Sequence, residues 1–212
     1  MRIGIFDLET REWANDVPAG FSNIQAFGMS VGVVNDVVYW QDEIEKLLMH
    51  LRACDLIVGF NLIDFDYKVL EGYRPHFDYG SLPTFDILAD FKHRHGHRVS
   101  LDSLCEKTLD EKKSGTGQQA VQWWREKKLG KLVEYCKRDV RLTKYLFEHG
   151  LKKRHLCYKD DESVTGQRIV RTDHWDDTVM LATKTSPLDA VHGALTMEDV
   201  WTGLTQLKIS TP

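Results

Sequence analysis

An apolar run over residues 2–8 carries two acids at its end, Asp7 and Glu9, two positions apart. β-Branched Ile3 and Ile5 mark the run as a buried strand. Side chains alternate along a strand, so Asp7 and Glu9 point to the same side. Two carboxylates side by side on a buried strand repel each other and lose hydration. Such a pair is retained where a cation compensates it, or where the strand emerges into solvent and the acids cost little.

The rest of the pattern builds an α/β domain around that strand. A loop with Asn15, Asp16, Pro18 and Gly20 is followed by an expected second strand over residues 24–34. Asn35-Asp36 is a two-residue hairpin turn into a third strand over 37–40. Ile44, Leu47, Leu48 and Leu51 share one face of a helix beginning at Asp42. A short buried strand over 56–58 closes at Gly59, and a helix is expected over 64–71. Further expectations are a strand over 85–88, a helix capped by Ser100, a loop over 115–117, and helices over 118–127 and 130–149. The order predicts a mixed sheet, an antiparallel three-strand meander plus parallel strands, flanked by helices. The division expected is a domain over 1–150 and a C-terminal extension over 151–212. The extension is read as irregular, with two strands and a short helix over 197–204, and as packed on the first domain because Trp175 and Trp201 are costly to leave in water.

Composition narrows the function. Net charge is −4, which excludes a DNA binder held by charge alone but not an enzyme whose acids hold metal ions. The four cysteines, Cys54, Cys105, Cys136 and Cys157, have no C-x-x-C spacing and suit buried thiols in a reducing cytoplasm. No apolar run approaches the ~20 residues of a membrane helix, and acids near the N-terminus leave no room for a secretory signal. A cytoplasmic location without membrane contact is expected.

Two more segments carry candidate chemistry. Asn61, Asp64 and Asp66 cluster at a strand-to-helix turn, where α/β sheets hold ligands and where helix caps also sit. Tyr135 and Asp139 lie four apart on a helix beside its core stripe of Leu132, Cys136, Val140, Thr143 and Phe147.

Taken in order, these three segments resemble the DEDD 3′→5′ exonuclease superfamily of the ribonuclease H-like fold. Tyr135 places the resemblance in the DEDDy branch, closest to the proofreading domain of family B DNA polymerases and its stand-alone bacterial and viral relatives. Gly59-Phe60-Asn61 with Phe65-Asp66 is similar to the second motif, and Tyr135-Cys136 with Asp139-Val140 to the third. Phe85-Asp86-Ile87-Leu88, Ser100-Leu101-Asp102-Ser103-Leu104 and Glu111-Lys112-Lys113 fit the connecting region. The likeness covers roughly residues 1–150.

The resemblance implies a ribonuclease H-like fold and metal-dependent 3′→5′ hydrolysis of nucleic acid, single-stranded DNA favoured. RNA with the same site, or a silent binding module of the same fold, are the alternatives. It implies two Mg²⁺ or Mn²⁺ ions on Asp7, Glu9, Asp66 and Asp139, with Tyr135 orienting water. A phenol titrates near ~10 and is no strong base at neutral pH. Asp66 rather than Asp64 is the second-motif acid, with Asp64 read as a helix cap. Expected substrate contacts are Asn61, Phe65, Lys92, Arg94 and Arg98, the last three from a basic run over 92–98 that otherwise reads as a solvated loop. Trp13 and Phe60 are further candidates for stacking on bases. The extension is a candidate surface for self-association or for a replication or repair partner.

Overall fold

In the computed structural model, residues 1–111, 115–183 and 195–207 are described. Lys112 and Lys113 of the connecting region, and part of the extension, lie outside them. Among the described residues no helix is long and apolar enough to cross a membrane. All four cysteines are buried, and none is in a disulfide.

Five strands form the main sheet: β1 (Ile3–Thr10), β2 (Met29–Val34), β3 (Val37–Trp40), β4 (Leu56–Gly59) and β5 (Thr84–Asp86), in the order β3-β2-β1-β4-β5. β1 pairs antiparallel with β2, and β2 with β3, while β1–β4 and β4–β5 are parallel. This is the expected mixed sheet. β1 is its centre because Ile3, Ile5, Phe6 and Leu8 are all buried, so neither face of the strand can be left to water.

The alternation of β1 sorts its side chains between two cores. Phe6 and Leu8 join the face covered by α1 (Ile44–Arg52) and α2 (Tyr67–Glu71). Ile3 and Ile5 join the opposite face, which includes residues of α3 (Ile87–His95), α4 (Leu101–Leu109), α5 (Gly117–Arg125) and α6 (Leu129–Lys153). Asp7 and Glu9 continue the row of Ile3 and Ile5 and so fall on the α6 side.

Several boundaries differ from the sequence reading, each for a local reason. The second strand starts at Met29, not at 24, because residues Gly20–Ala26 form 3₁₀ turns and Gly28 sits at φ +63°, outside strand geometry. The strand expected over 85–88 ends at Asp86, whose carboxylate accepts the N–H groups of Leu88 and Ala89 and starts α3. Residues Lys92 to His95 are the last turn of that helix, not a loop. Cations there suit the negative end of the helix dipole, and Gly96 at φ +74° ends it. The helix expected over 64–71 is a single π turn, Leu62–Asp66, running into α2. Gly117 lies inside α5, which a Thr116–Gln119 capping box opens.

Helix α6 is 25 residues long and runs through position 150 to Lys153. Beyond it, β6 (His155–Lys159) and β7 (Gln167–Arg171) form an antiparallel hairpin beside α4 and α6. The apolar run Val179 to Leu181 belongs to α7 (Trp175–Thr183), a helix the sequence pattern did not indicate, with Asp176 and Asp177 in its first turn. The last described helix is α8 (Met197–Gln206). Leu156, Val170, Trp175, Val179, Val200 and Leu204 share one buried cluster with Ile3, Ile5 and Phe147. Trp175 packs on Phe85 and Phe147 at ring distances of 5.0 and 6.0 Å, and a Cβ at Gly150 would overlap its ring. Its indole N–H donates to Asp90 at 2.9 Å, and His174 contacts the same carboxylate at 2.9 Å.

Candidate active site

Three chain segments meet at the C-terminal half of β1. Asp7 and Glu9 come from the strand itself. Asp139 and Tyr135 come from α6, whose buried face lies over β1. One carboxylate oxygen from each of Asp7, Glu9 and Asp139 lies within 4.8 Å of the others. Asp7 is half-buried, while Glu9 is 8% exposed and Asp139 only 3%. The Cys136 thiol, one turn from Asp139, lies 3.5 Å from the Asp7 carbonyl oxygen and 3.6 Å from its carboxylate. Burial first, then Asp7, Glu9 and Asp139, push that thiol's pKa well above its ordinary value, so it sits beside the acids as a neutral donor.

Asp66 arrives from the second segment. β4 ends at Gly59, where a Cβ would overlap the buried Leu62 side chain. Asn61 then adopts φ +71°, a left-handed conformation that asparagine tolerates better than most residues. The π turn that follows brings Asp66 back against β1, where its carboxylate accepts the Leu8 N–H at 3.0 Å. Burial, and next the charge of Asp7, raise the Asp66 pKa well above the ordinary carboxylate range. Asp86 raises it further.

Asp86 is the residue that sequence reasoning passed over. Its Oδ1 accepts the N–H groups of Asn61, Leu88 and Ala89, and its Oδ2 that of Ile63, at 2.8–3.2 Å. One buried carboxylate thereby closes the start of the π turn and caps α3. Burial raises its pKa, and the four N–H groups pull the other way. The signal available was an aspartate two residues before Leu88 at a strand-to-helix junction, an ordinary cap position. Neither Asn61 nor Asp64 caps by its side chain. Asp64 is half-exposed and pairs with Lys92 at 2.6 Å, which corrects its expected role as a cap.

A pocket of about 610 Å³ opens over these residues. It brings together Asp7, Glu9, Asp66, Tyr135 and Asp139 with Asn61, Phe65 and Arg98, and also Trp13 and Phe60. Arg98 donates to the Asn61 side-chain oxygen at 3.1 Å, so the two expected substrate contacts hold each other. Lys92 and Arg94 do not line the pocket; Arg94 lies 3.6 Å from Asp90. Tyr135 is 3% exposed, with its ring edge-on to Trp123 at 5.8 Å.

The donor set is all carboxylate oxygen, the kind of ligand that hard Mg²⁺ or Mn²⁺ takes. Crowded acids on buried backbone need positive charge beside them, and divalent ions are the group these residues fit.

A sheet of this order, with acids gathered at the end of its central strand, defines a ribonuclease H-like α/β nuclease domain. A model of the 3′-5′ exonuclease family matches residues 6–154, and the chain belongs to that family. No curated protein and no solved structure matches the chain. Membership of this family supports nuclease activity on a nucleic-acid substrate.

Proposed function

We propose that the chain is a DEDDy-type exonuclease that removes nucleotides from the 3′ end of single-stranded DNA with two Mg²⁺ or Mn²⁺ ions. The observation that carries this reading is the approach of the Asp7, Glu9 and Asp139 oxygens to within 4.8 Å, with buried Asp66 beside Asp7. Asp7 is common to both halves of this group and would contact both ions. Glu9 and Asp139 would complete one site and Asp66 the other. The ions, when bound, supply a Lewis acid for the phosphate and a water activated at neutral pH.

The remaining work falls to the chain's own residues. The Tyr135 hydroxyl holds and orients the attacking water by hydrogen bond and takes no metal. Burial of Tyr135, Glu9 and Asp139 keeps bulk water from screening the reacting centre. Arg98, held by Asn61, faces the pocket with a guanidinium suited to a phosphate. Trp13, Phe60 and Phe65 line the same pocket and present apolar rings on which a terminal base can stack. The favoured DNA substrate rests on the resemblance to proofreading domains.

The test is hydrolysis of 5′-labelled single-stranded DNA and RNA of one sequence, with Mn²⁺ and with chelator. A ladder shortening from the 3′ end in Mn²⁺ alone is the expected result, faster on DNA. Cleavage that persists in chelator, or endonucleolytic products only, overturns the proposal.

A further inference from the structure

The catalytic pocket adjoins a second one. A pocket of about 500 Å³ shares Arg98, Val99 and Ser100 with it, so one stretch of chain forms a wall of both. The far side of the second pocket is Tyr158, Lys159 and Arg168 of the β6–β7 hairpin, with the acids of its turn. The matched family region stops at residue 154, so this side is built from chain beyond it.

We infer that the hairpin forms a second subsite that holds the same polynucleotide strand on the 5′ side of the scissile phosphate. The inference rests on the exonuclease reading above. Three observations support it. First, the two pockets adjoin at Arg98–Ser100, and a groove through both suits a length of strand rather than a single nucleotide. Second, the cations along it are available for phosphates. Lys159 pairs with Asp161 at 3.2 Å, and both partners are mostly exposed at 57% and 81%, an arrangement of little net value that a phosphate can displace. Arg168 lies 2.7 Å from Asp160 through Nε, with more than half of its side chain exposed to solvent. Third, the exposed His97 ring rests on buried Phe91 and Tyr158 at 5.2 and 5.7 Å. It offers a braced flat face for a base.

The acids have a place in this account. Asp160, Asp161 and Glu162 line the same pocket as the cations. A phosphate held there competes with carboxylates for the same donors, so each contact is exchangeable. A strand that must advance one nucleotide after each cleavage needs contacts of that kind.

The experiment compares the full chain with a Lys159→Ala/Arg168→Ala double variant on the oligonucleotides dT2 and dT10. KM and kcat are read in Mn²⁺, and equilibrium binding is read by fluorescence anisotropy in chelator. The expected result is a KM for dT10 raised on the order of tenfold, with its kcat unchanged and both constants for dT2 unchanged. The salt dependence of dT10 binding should also fall, by about 0.7 in log–log slope for each phosphate that the variant no longer neutralises. Lys46→Ala, on α1 away from the groove, should change none of these. Equal KM values for wild type and double variant on dT10, or an equal loss on dT2 and dT10, overturns the inference and leaves the exonuclease reading intact. Length-dependent binding that needs Lys159 and Arg168 in a chain that cleaves neither oligonucleotide keeps the groove and sinks the exonuclease reading.

Discussion

The Asp66 carboxylate accepts the Leu8 backbone N–H at 3.0 Å, across 58 positions of sequence. That bond fixes the turn after β4 to the strand that carries Asp7 and Glu9. The fourth acid is therefore placed by the sheet's own backbone rather than by a flexible loop, and its pKa is raised by the burial that follows.

Asp7→Asn should abolish cleavage, by roughly 10²–10³-fold or more, as expected when a charge central to transition-state stabilisation is lost. The fold should survive, because the substitution removes a charge from a crowded group and keeps its shape. Turnover of labelled oligonucleotide and a thermal melt in chelator check this. A variant that cleaves near the wild-type rate removes Asp7 from the metal site.

Stability without metal should depend on Asp66 in a definite direction. Its folded pKa lies above the unfolded value, so between the two the native state binds the extra proton. Stability from this group is therefore full at low pH and is lost as pH rises through the folded pKa. Asp66→Asn keeps an oxygen for the Leu8 N–H and cannot ionise. In chelator it should melt above wild type at neutral pH, with the gap closing as pH falls, and saturating Mn²⁺ should reverse the order. A gap that widens on acidification contradicts the assignment.

Asp86 and Asp64 should separate cleanly. Asp86→Asn turns an amide N–H₂ toward backbone N–H donors and should cost about 1–3 kcal/mol, the penalty for a buried donor left unmet. Asp64→Ala removes surface ion pairs with Lys92 and Arg98 and should cost within about 1 kcal/mol. Chemical denaturation of both variants measures the contrast, and equal losses would return Asp64 to a capping role.

Tyr135→Phe should lower kcat by about 10- to 100-fold, the scale of a misplaced reactant, and leave Mn²⁺ affinity as it was. Calorimetric titration supplies the second readout. Lost metal binding would show that the phenol supports the ligands instead of the water.

The sheet was legible because its strands are written as short apolar runs and its turns in local residues. Ile3 and Ile5 predict a buried strand, and Asn35-Asp36 a hairpin, without any distant contact. The crowding of Asp7 and Glu9 is equally local. Asp86 was not legible in the same way, because its Asn61 and Ile63 partners lie more than 20 residues upstream and depend on a π turn that no periodicity announces. The basic run was misjudged because charge alone does not distinguish a loop from the last turn of a helix. The helix Trp175–Thr183 was missed because its reason for forming is Trp175 docking on Phe85 and Phe147.

That docking has a practical side. The indole lies over Gly150, eleven positions from Asp139 on the same continuous helix, and closes a core that also holds Ile5 of the strand bearing Asp7. The point where the family likeness stops is thus a poor place to cut. A shortened chain would bare Phe85 and Phe147 to solvent and loosen the anchorage of the helix that carries Asp139. Val200 and Leu204 of α8 belong to the same core, so anyone making a minimal nuclease from this chain should keep both α7 and α8 rather than end at residue 154.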